Sequence, residues 1–194
     1  MFLSAMRSLV YLVASTVDGY IAAPDGSADF GPFEGPQVAD ILAEFPEMIP
    51  GHVRARLDLS DNQRFDTVVM GRATYEVGLS EGITSPYPHL RQILATTTIA
   101  APPDPAVEIV GTKIVEQVRA LKCESGMDIW LAGGGRLAAS LADELDEMIL
   151  KINPLVLGAG IPLFAERIGP RALTMTQHRV YDNGYALMRY RWAS

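Results

Sequence analysis

The sequence has few of the residues that build disulfides, metal centres or membrane spans. Its single cysteine, Cys123, has no partner for an intramolecular disulfide or a thiolate metal site, so we expect a cytoplasmic protein. Its three histidines, His52, His89 and His178, lack ligand spacing, so we expect no metal. No apolar run approaches the roughly 20 residues that cross a bilayer, so we expect no membrane partner.

Basic residues are also scarce. Lys and Arg number 16 against 23 Asp and Glu, a formal net charge of -7, and such a chain repels the phosphates of nucleic acids unless its cations are concentrated. The 17 glycines and 13 prolines form no tract, and 48% of residues are hydrophobic, which excludes disordered and fibrous classes. We therefore expect one globular domain over residues 1–194, large enough to enclose a ligand pocket.

Short β-rich runs alternate with helical patterns, which predicts an α/β layered domain. The predicted strands are Leu9–Ser15, Thr67–Met70, Gln92–Ala95, Val107–Val110, Asp128–Ala132 and Met148–Val156. The predicted helices are Val38–Phe45, Thr112–Leu121, with Thr112 as N-cap, and Leu137–Leu145. Two further strand patterns, Leu173–Tyr181 and Tyr185–Trp192, flank an Asn-Gly turn that is typical of a hairpin. The prediction is a three-layer fold with a mixed, mainly parallel sheet that ends in an antiparallel hairpin.

The run Ile129–Leu137 is an apolar strand that leads through Gly133, Gly134 and Gly135 into an amphipathic helix. Glycine allows close approach of a ligand, and the unpaired N–H groups at a helix start favour a phosphate. The string also fits the Rossmann fingerprint, with Ala138 at its last position, but no acid ends the next strand as that motif requires. A pyrophosphate site and an ordinary strand-to-helix turn both stay open.

The run Phe65–Glu76 repeats the order of strand, glycine and helix start, and adds Arg72 and Thr74. The planar guanidinium suits a phosphate, and a 2'-phosphate in particular, so NADP is favoured over NAD. The alternative is a surface ion pair between Arg72 and Glu76, four residues on. The hydroxyl-rich strand end Thr96–Thr98 is another candidate contact, although threonine is also common in strands.

Four motifs occur in a fixed order: ASTVDGYIA at residues 14–22, DTVVMGRATYE at 66–76, IWLAGGGRL at 129–137 and PLVLGAGIPLF at 154–164. Together they resemble the dihydrofolate reductase superfamily. The resemblance is closer to the C-terminal reductase domain of the bifunctional deaminase-reductase of riboflavin biosynthesis. It extends over nearly the whole chain.

The resemblance implies an NADPH-dependent reductase that transfers a hydride to a C=N or C=O group of a small pteridine- or pyrimidine-type heterocycle. It places the nicotinamide carboxamide at the backbone of Ala14 and Ile21. The other cofactor contacts that it implies are Gly71, Arg72 and Thr74 for the phosphates, Thr96 and Thr97 for the adenosine end, and Ala132, Gly133, Gly134, Gly135, Arg136 and Leu137 for the pyrophosphate.

On the substrate side, the resemblance implies an Asp-aromatic pair in the loop after the first strand, here Asp29-Phe30. We expect Asp29 or Asp40 to deliver the proton, and Phe30 and Tyr75 to stack on the ring. Asp40 shares a helical face with Glu44, so either carboxylate could instead point at water.

Two other functions stay open at this point. One is a non-catalytic NADP(H)-binding protein of the same fold, in which no acid faces the substrate. The other is a Rossmann NAD dehydrogenase, in which the turn at Gly133 binds the cofactor alone. Because reductases of similar size in the resembled branch form pairs, we expect a homodimer.

Overall fold

An eight-stranded mixed sheet forms the centre of the fold. The computed structural model describes residues 6–28, 30, 34–57, 59, 61–102 and 104–192. Its elements, in chain order, are β1 (Leu9–Thr16), β2 (Tyr20–Ala22), α1 (Pro36–Glu44), a 3-10 helix (Pro46–Met48), α2 (Gly51–Arg54), β3 (Phe65–Gly71), α3 (Arg72–Ser80), β4 (Arg91–Ala95), β5 (Val107–Val110), α4 (Ile114–Cys123), β6 (Asp128–Gly133), α5 (Gly135–Ser140), β7 (Glu147–Asn153), β8 (Ile161–Pro162), β9 (Leu173–Val180) and β10 (Ala186–Trp192).

The strand order is β5-β4-β3-β6-β1-β7-β10-β9, and β2 pairs with β8 in a separate two-stranded sheet. The six strands from β5 to β7 are parallel, whereas β10 runs antiparallel to both β7 and β9. The mixed, mainly parallel sheet with a C-terminal hairpin is therefore confirmed. Because parallel strands end at one edge, the loops that follow β1, β3, β4 and β6 all gather there.

Among the predicted boundaries that differ from the structure are the ends of α5 and β7 and the start of α4. The helix predicted to reach Leu145 ends at Ser140 and continues as turns. The strand predicted to reach Val156 ends at Asn153, before a proline that has no N–H for the ladder. The prediction that Thr112 is the N-cap of α4 was wrong. The N-cap residue is Lys113, and its side chain makes no capping hydrogen bond.

Both faces of the sheet are covered, which explains the continuous apolar strands. On the α4/α5 face, Leu9 and Tyr11 pack in one buried cluster with Val118 of α4. On the α1/α3 face, Val10 and Leu12 pack in a second cluster, together with Phe45, Phe65, Tyr75 and Trp130. None of the helices in the described ranges is long and apolar enough to cross a bilayer.

A buried carboxylate joins the 3-10 helix to the start of β3. Glu47 is 0% exposed, and its side chain accepts hydrogen bonds from three consecutive backbone N–H groups. These belong to Gln63 at 3.3 Å, Arg64 at 2.8 Å and Phe65 at 2.7 Å. The carboxylate thus satisfies amides that the sheet leaves unpaired where β3 begins.

We predict that Glu47→Ala destabilises the fold by about 3 kcal/mol, because it leaves buried N–H groups without acceptors. Urea unfolding measures this as a lower midpoint with an unchanged slope. Glu81→Ala, at an exposed position after α3, is the control and changes stability by less than about 0.5 kcal/mol. Equal midpoints for the two variants would contradict this role of Glu47.

Candidate functional site

Two cavities adjoin at the carboxyl edge of the sheet. The larger, of about 560 Å³, lies between the first residues of α3 and α5 and the segment 160–165. The smaller, of about 240 Å³, lies against the end of β1. Ala73, Gly134 and Ile161 line both cavities, so the two form one cleft. The larger cavity alone has the size of a ligand pocket.

The larger cavity is lined by cationic and hydroxyl side chains and by bare backbone. Arg72, Arg136 and Ser140 contribute the polar side chains. The Arg72 Nη1 lies 3.2 Å from the Glu76 Oε1, so the ion pair considered in the sequence forms at the edge of this cavity. Arg136 is exposed, and no ion pair involving it occurs among the residues that the structure describes. The cavity is suited to an anion.

The turn between β6 and α5 has a backbone that favours glycine. Gly133 and Gly134 have φ values of 149° and 98°, a region that residues with side chains rarely adopt. A Cβ added at Gly135 would lie 2.3 Å from the carbonyl oxygen of Pro162. The backbone N–H of Ala165 also donates to the Gly135 carbonyl at 2.9 Å. The segment 160–165 is therefore pressed against the glycine turn.

The same segment is pressed against β2. A Cβ added at Gly160 would lie 2.3 Å from the carbonyl oxygen of Ala22. Further along, the Leu163 N–H donates to the Gly19 carbonyl at 3.0 Å. In the sequence, Gly160 and Leu163 are recognisable only as part of the motif PLVLGAGIPLF. Their physical role is to fasten the loop after β1 to the loop after β6.

Asp18 adds hydrogen bonds between the loop after β1 and the segment after β7. Its carboxylate accepts hydrogen bonds from the Thr16 hydroxyl at 2.6 Å and from the N–H groups of Leu157 at 3.2 Å and Gly158 at 2.7 Å. The hydroxyl has the largest effect in holding the pKa of Asp18 below its usual range, and the two amides add to it. Asp18 thus remains ionised at neutral pH and ties the loop after β1 to the chain that follows β7.

The smaller cavity is mostly apolar. Ala14 is half-buried and lines it from the end of β1, and Val77 of α3 lines it with its side chain 57% exposed. The other apolar side chains in the lining are Val13, Ile21, Ala22, Ala28, Phe30, Ala73, Ala132 and Ile161. Such a lining suits a flat ring whose polar groups meet backbone.

Most of the predicted site residues lie in this cleft. Those that line one or both cavities are Ala14, Ile21, Phe30, Gly71, Arg72, Thr74, Ala132, Gly133, Gly134, Gly135, Arg136 and Leu137.

Thr96, Thr97 and Tyr75 do not line the cleft. The two threonines follow β4, directly after Ala95, which lines the larger cavity; Thr96 is buried and Thr97 is exposed. Tyr75 is 0% exposed, and its hydroxyl donates to the Thr84 carbonyl at 2.6 Å. The ring of Tyr75 belongs to the core, and a substrate ring cannot stack on it there.

Of the two carboxylates predicted to deliver a proton, Asp29 lies outside the described residues. Asp40 accepts a hydrogen bond from the Tyr181 hydroxyl at 2.8 Å and pairs with the Arg179 guanidinium at 2.8 Å. The hydrogen bond from Tyr181 has the largest effect in holding the pKa of Asp40 below its usual range, and Arg179 adds to it. A general acid that acts at neutral pH needs a raised pKa instead. No three His, Cys, Asp or Glu side chains within the described ranges cluster to hold a metal ion.

Lys151, a buried lysine on β7, was not among the predicted site residues. It pairs in register with Ala14 of β1, which lines the smaller cavity, but Lys151 itself lines neither cavity. Burial lowers its pKa to about 8. The sequence signal for a buried lysine was its position within the apolar run MILKI, which by itself predicted only a strand.

The four motifs lie within a region that matches a known protein family. The RibD C-terminal domain family matches residues 7–187. The chain belongs to this family. It is similar to the uncharacterized protein YwjB of Bacillus subtilis strain 168, with 34% identity over 167 residues, which cover 82% of this chain and 84% of that protein.

Two solved structures agree with the fold that this family membership implies. One is a diaminohydroxyphosphoribosylaminopyrimidine deaminase/5-amino-6-(5-phosphoribosylamino)uracil reductase from Thermotoga maritima, with a TM-score of 0.64, 15% identity, and coverage of 97% of this chain and 57% of that one. The other is dihydrofolate reductase from Enterococcus faecalis complexed with NADP(H), with a TM-score of 0.60, 17% identity, and coverage of 96% and 97%. The RibD C-terminal domain of this chain therefore has the reductase-like fold that the motifs predicted.

We predict that Gly135→Ala and Gly160→Ala each destabilise the protein by about 1–3 kcal/mol, because the new methyl group must displace a backbone carbonyl. Gly111→Ala is the matched control, since a Cβ there would lie 3.9 Å from the nearest carbonyl oxygen. Thermal unfolding of the three variants compares them. Melting temperatures equal to that of the control would show that the backbone contacts are not tight.

Proposed function

We propose that this chain is an NADPH-dependent reductase that transfers a hydride to a C=N or C=O group of a small pteridine- or pyrimidine-type heterocycle. The observation that carries the proposal is the two-part cleft. An apolar cavity at the end of β1 adjoins an arginine- and glycine-lined cavity at the starts of α3 and α5. NADPH has the same division, with a flat nicotinamide at one end and an anionic pyrophosphate beside it.

The similar proteins support this choice of cofactor and substrate class. The Enterococcus faecalis enzyme is a dihydrofolate reductase in complex with NADP(H), and the Thermotoga maritima enzyme is a uracil reductase joined to a deaminase. One name implies a pteridine-type ring and the other a pyrimidine-type ring. We extend to this chain only what is common to both, namely reduction of a small nitrogen heterocycle.

The residues in the cleft fit the cofactor. The backbone of Ala14 and Ile21 would hold the nicotinamide carboxamide in the smaller cavity. The N–H groups of the glycine turn and Arg136 would hold the pyrophosphate, where the absence of Cβ atoms at Gly133 and Gly134 allows close approach. Arg72 would meet the 2'-phosphate.

Thr96 and Thr97, which follow β4 directly after Ala95 of the larger cavity, would border the adenosine end. The bound cofactor supplies the hydride, while the chain positions the two rings and excludes water from them.

The second candidate is a non-catalytic NADP(H)-binding protein of the same fold. The observation in its favour is the engagement of Asp40 with Tyr181 and Arg179, which keeps that carboxyl ionised. NADPH oxidation with dihydrofolate and with a ribosylamino-pyrimidine separates the two candidates. Turnover of either compound supports the reductase, and tight NADPH binding without turnover across a panel of heterocycles supports the alternative.

We predict that the wild-type protein binds NADPH more tightly than NADH, and that Arg72→Ala removes most of this preference. Arg136→Ala should weaken both nucleotides by about tenfold, because a charge-assisted hydrogen bond to the shared pyrophosphate is lost. Fluorescence or calorimetric titration gives the dissociation constants of each protein for both nucleotides. Arg119→Ala is the control, since Arg119 lies on α4, pairs with Glu144 and lines neither cavity.

Unchanged NADPH affinity in Arg72→Ala would show that the turn at Gly133 binds the cofactor without help from Arg72. Equal affinities of the wild-type protein for NADPH and NADH would remove the assignment of a 2'-phosphate site.

A homodimer is the oligomeric state that we propose. Its support is β9, an edge strand whose described side chains are almost all exposed. Leu173 and Met175 pair in register with Trp192 and Tyr190 of β10, so apolar side chains continue onto the edge on the α4/α5 face. An exposed edge strand with apolar residues is a surface that another chain can cover.

Met175→Glu should convert the dimer to a monomer, since it buries a charge in the interface. Analytical ultracentrifugation measures the change. Gln177→Glu, on the opposite face of the same strand, should leave the dimer intact. A monomeric wild-type protein, or equal behaviour of both variants, would contradict this interface.

A further inference from the structure

The two arginines that line the larger cavity differ in their partners. The Nη1 of Arg72 donates a hydrogen bond to the Oε1 of Glu76 at 3.2 Å. Arg136 makes no ion pair with any residue that the structure describes. One cation of this cavity is therefore open to an anionic ligand, whereas the other already has a carboxylate bound to it.

The geometry of α3 explains why this pair forms and why it can open. Arg72 is the first residue of the helix and Glu76 follows it by four positions, so the two side chains lie on one side of the helix. The side chains are 53% and 45% exposed. An ion pair with this exposure contributes little to stability, because both groups are also well hydrated when they separate. A stronger anion can therefore take the place of the Glu76 carboxylate.

A carboxylate and a phosphate use the same donors of a guanidinium. Both are planar-edged anions that accept two parallel N–H groups from arginine. A phosphate monoester such as the 2'-phosphate of NADPH carries about -1.5 to -2 charges at neutral pH, whereas NADH has an uncharged hydroxyl at the same position. The 2'-phosphate must therefore displace Glu76 from Arg72 or lie beside a like charge, and the hydroxyl of NADH faces neither cost.

We propose that Glu76 sets how strongly the protein prefers NADPH over NADH, because its carboxylate competes with the 2'-phosphate for the Arg72 guanidinium; this rests on the proposed reductase function and concerns the cofactor end of the same cleft. Arg72 lines the larger cavity and Glu76 does not. Glu76 is thus a positioning residue that acts through Arg72. The preference for NADPH is smaller than Arg72 alone would give.

A second exposed ion pair provides a matched control. The Nε of Arg91 lies 2.7 Å from the Oε1 of Glu108, and the two side chains are 36% and 48% exposed. Arg91 begins β4, whereas Ala95, at the other end of that strand, lines the larger cavity. Neither member of this pair lines either cavity. Glu108→Gln therefore removes the same charge from a similar pair that lies away from the cofactor site.

Calorimetric titration of the full chain with adenosine 2',5'-bisphosphate and with AMP isolates the 2' position, because the two ligands differ only in the 2'-phosphate. At low ionic strength Glu76→Gln should bind the bisphosphate about three- to tenfold more tightly than the wild-type protein does, and should bind AMP with wild-type affinity. NADPH and NADH should show the same division. Glu108→Gln should leave all four affinities at the wild-type values.

A double variant separates competition for Arg72 from a general effect of charge. In Arg72→Ala there is no guanidinium for Glu76 to occupy, so adding Glu76→Gln should tighten the bisphosphate by less than about twofold. A gain as large as in the wild-type background would overturn the competition. If Glu76 merely stabilised α3, its replacement would weaken the bisphosphate and AMP together, and this result would also contradict the proposal.

The salt dependence gives a further readout. Because Arg72 and Glu76 are exposed, dissolved ions screen their interaction with each other and with the phosphate. The difference in bisphosphate affinity between the wild-type protein and Glu76→Gln should therefore become smaller as the salt concentration rises from about 0.02 M to about 0.5 M. A difference that stays constant over this range would point to a change in the shape of α3 and would contradict the proposal.

Bisphosphate affinity that is equal in the wild-type protein and Glu76→Gln, while Arg72→Ala weakens it, would overturn the inference and leave the proposed cofactor site intact. Failure of the wild-type protein to bind NADPH would instead overturn the proposed function, and the inference with it. Because Glu76 is exposed and glutamine keeps the shape of its side chain, the melting temperature of Glu76→Gln should equal that of the wild-type protein. The titrations therefore compare folded proteins.

Discussion

The backbones of Gly135 and Gly160 lie too close to neighbouring carbonyl oxygens to admit a side chain. Through these two contacts the segment 160–165 touches the turn after β6 and the short strand β2. The loop after β1 and the loop after β6 are thereby held at a fixed separation, and the cleft is the space that remains between them. Asp18, in the loop after β1, also accepts hydrogen bonds from the N–H groups of Leu157 and Gly158 in the segment after β7.

The distribution of charge explains how an acidic chain can offer an anion site. Most of the arginines make ion pairs on the surface or on the α1/α3 face, as Arg91 does with Glu108 at 2.7 Å and Arg179 with Asp40 at 2.8 Å. The larger cavity has Arg136, Arg72 and the backbone amides of the glycine turn. Local donors of this kind can bind a phosphate although the net charge is -7.

Sequence patterns were sufficient for the sheet and for most of the cleft. Continuous apolar strands followed by glycines fixed β3 and β6, and the Asn-Gly turn fixed the hairpin. Tyr75 was expected to stack on the substrate ring, but an aromatic residue in the first turn of a helix can face the core or the ligand equally well. Here its hydroxyl donates to the Thr84 carbonyl in the core. The burial of Lys151 was also invisible, since it depends on which distant residues pack against β7. The contacts of Gly160 depend on tertiary packing that no local motif encodes.

The central claim is that the cleft holds NADPH with its nicotinamide in the smaller cavity and its phosphates in the larger one. A crystal structure of the protein with NADPH tests it most directly. The account predicts the nicotinamide carboxamide at the backbone of Ala14 and Ile21, and the pyrophosphate against the turn at Gly134 and Arg136. A nucleotide in the reverse orientation, with its adenine in the apolar cavity, or a cleft without bound nucleotide at saturating NADPH, would contradict it.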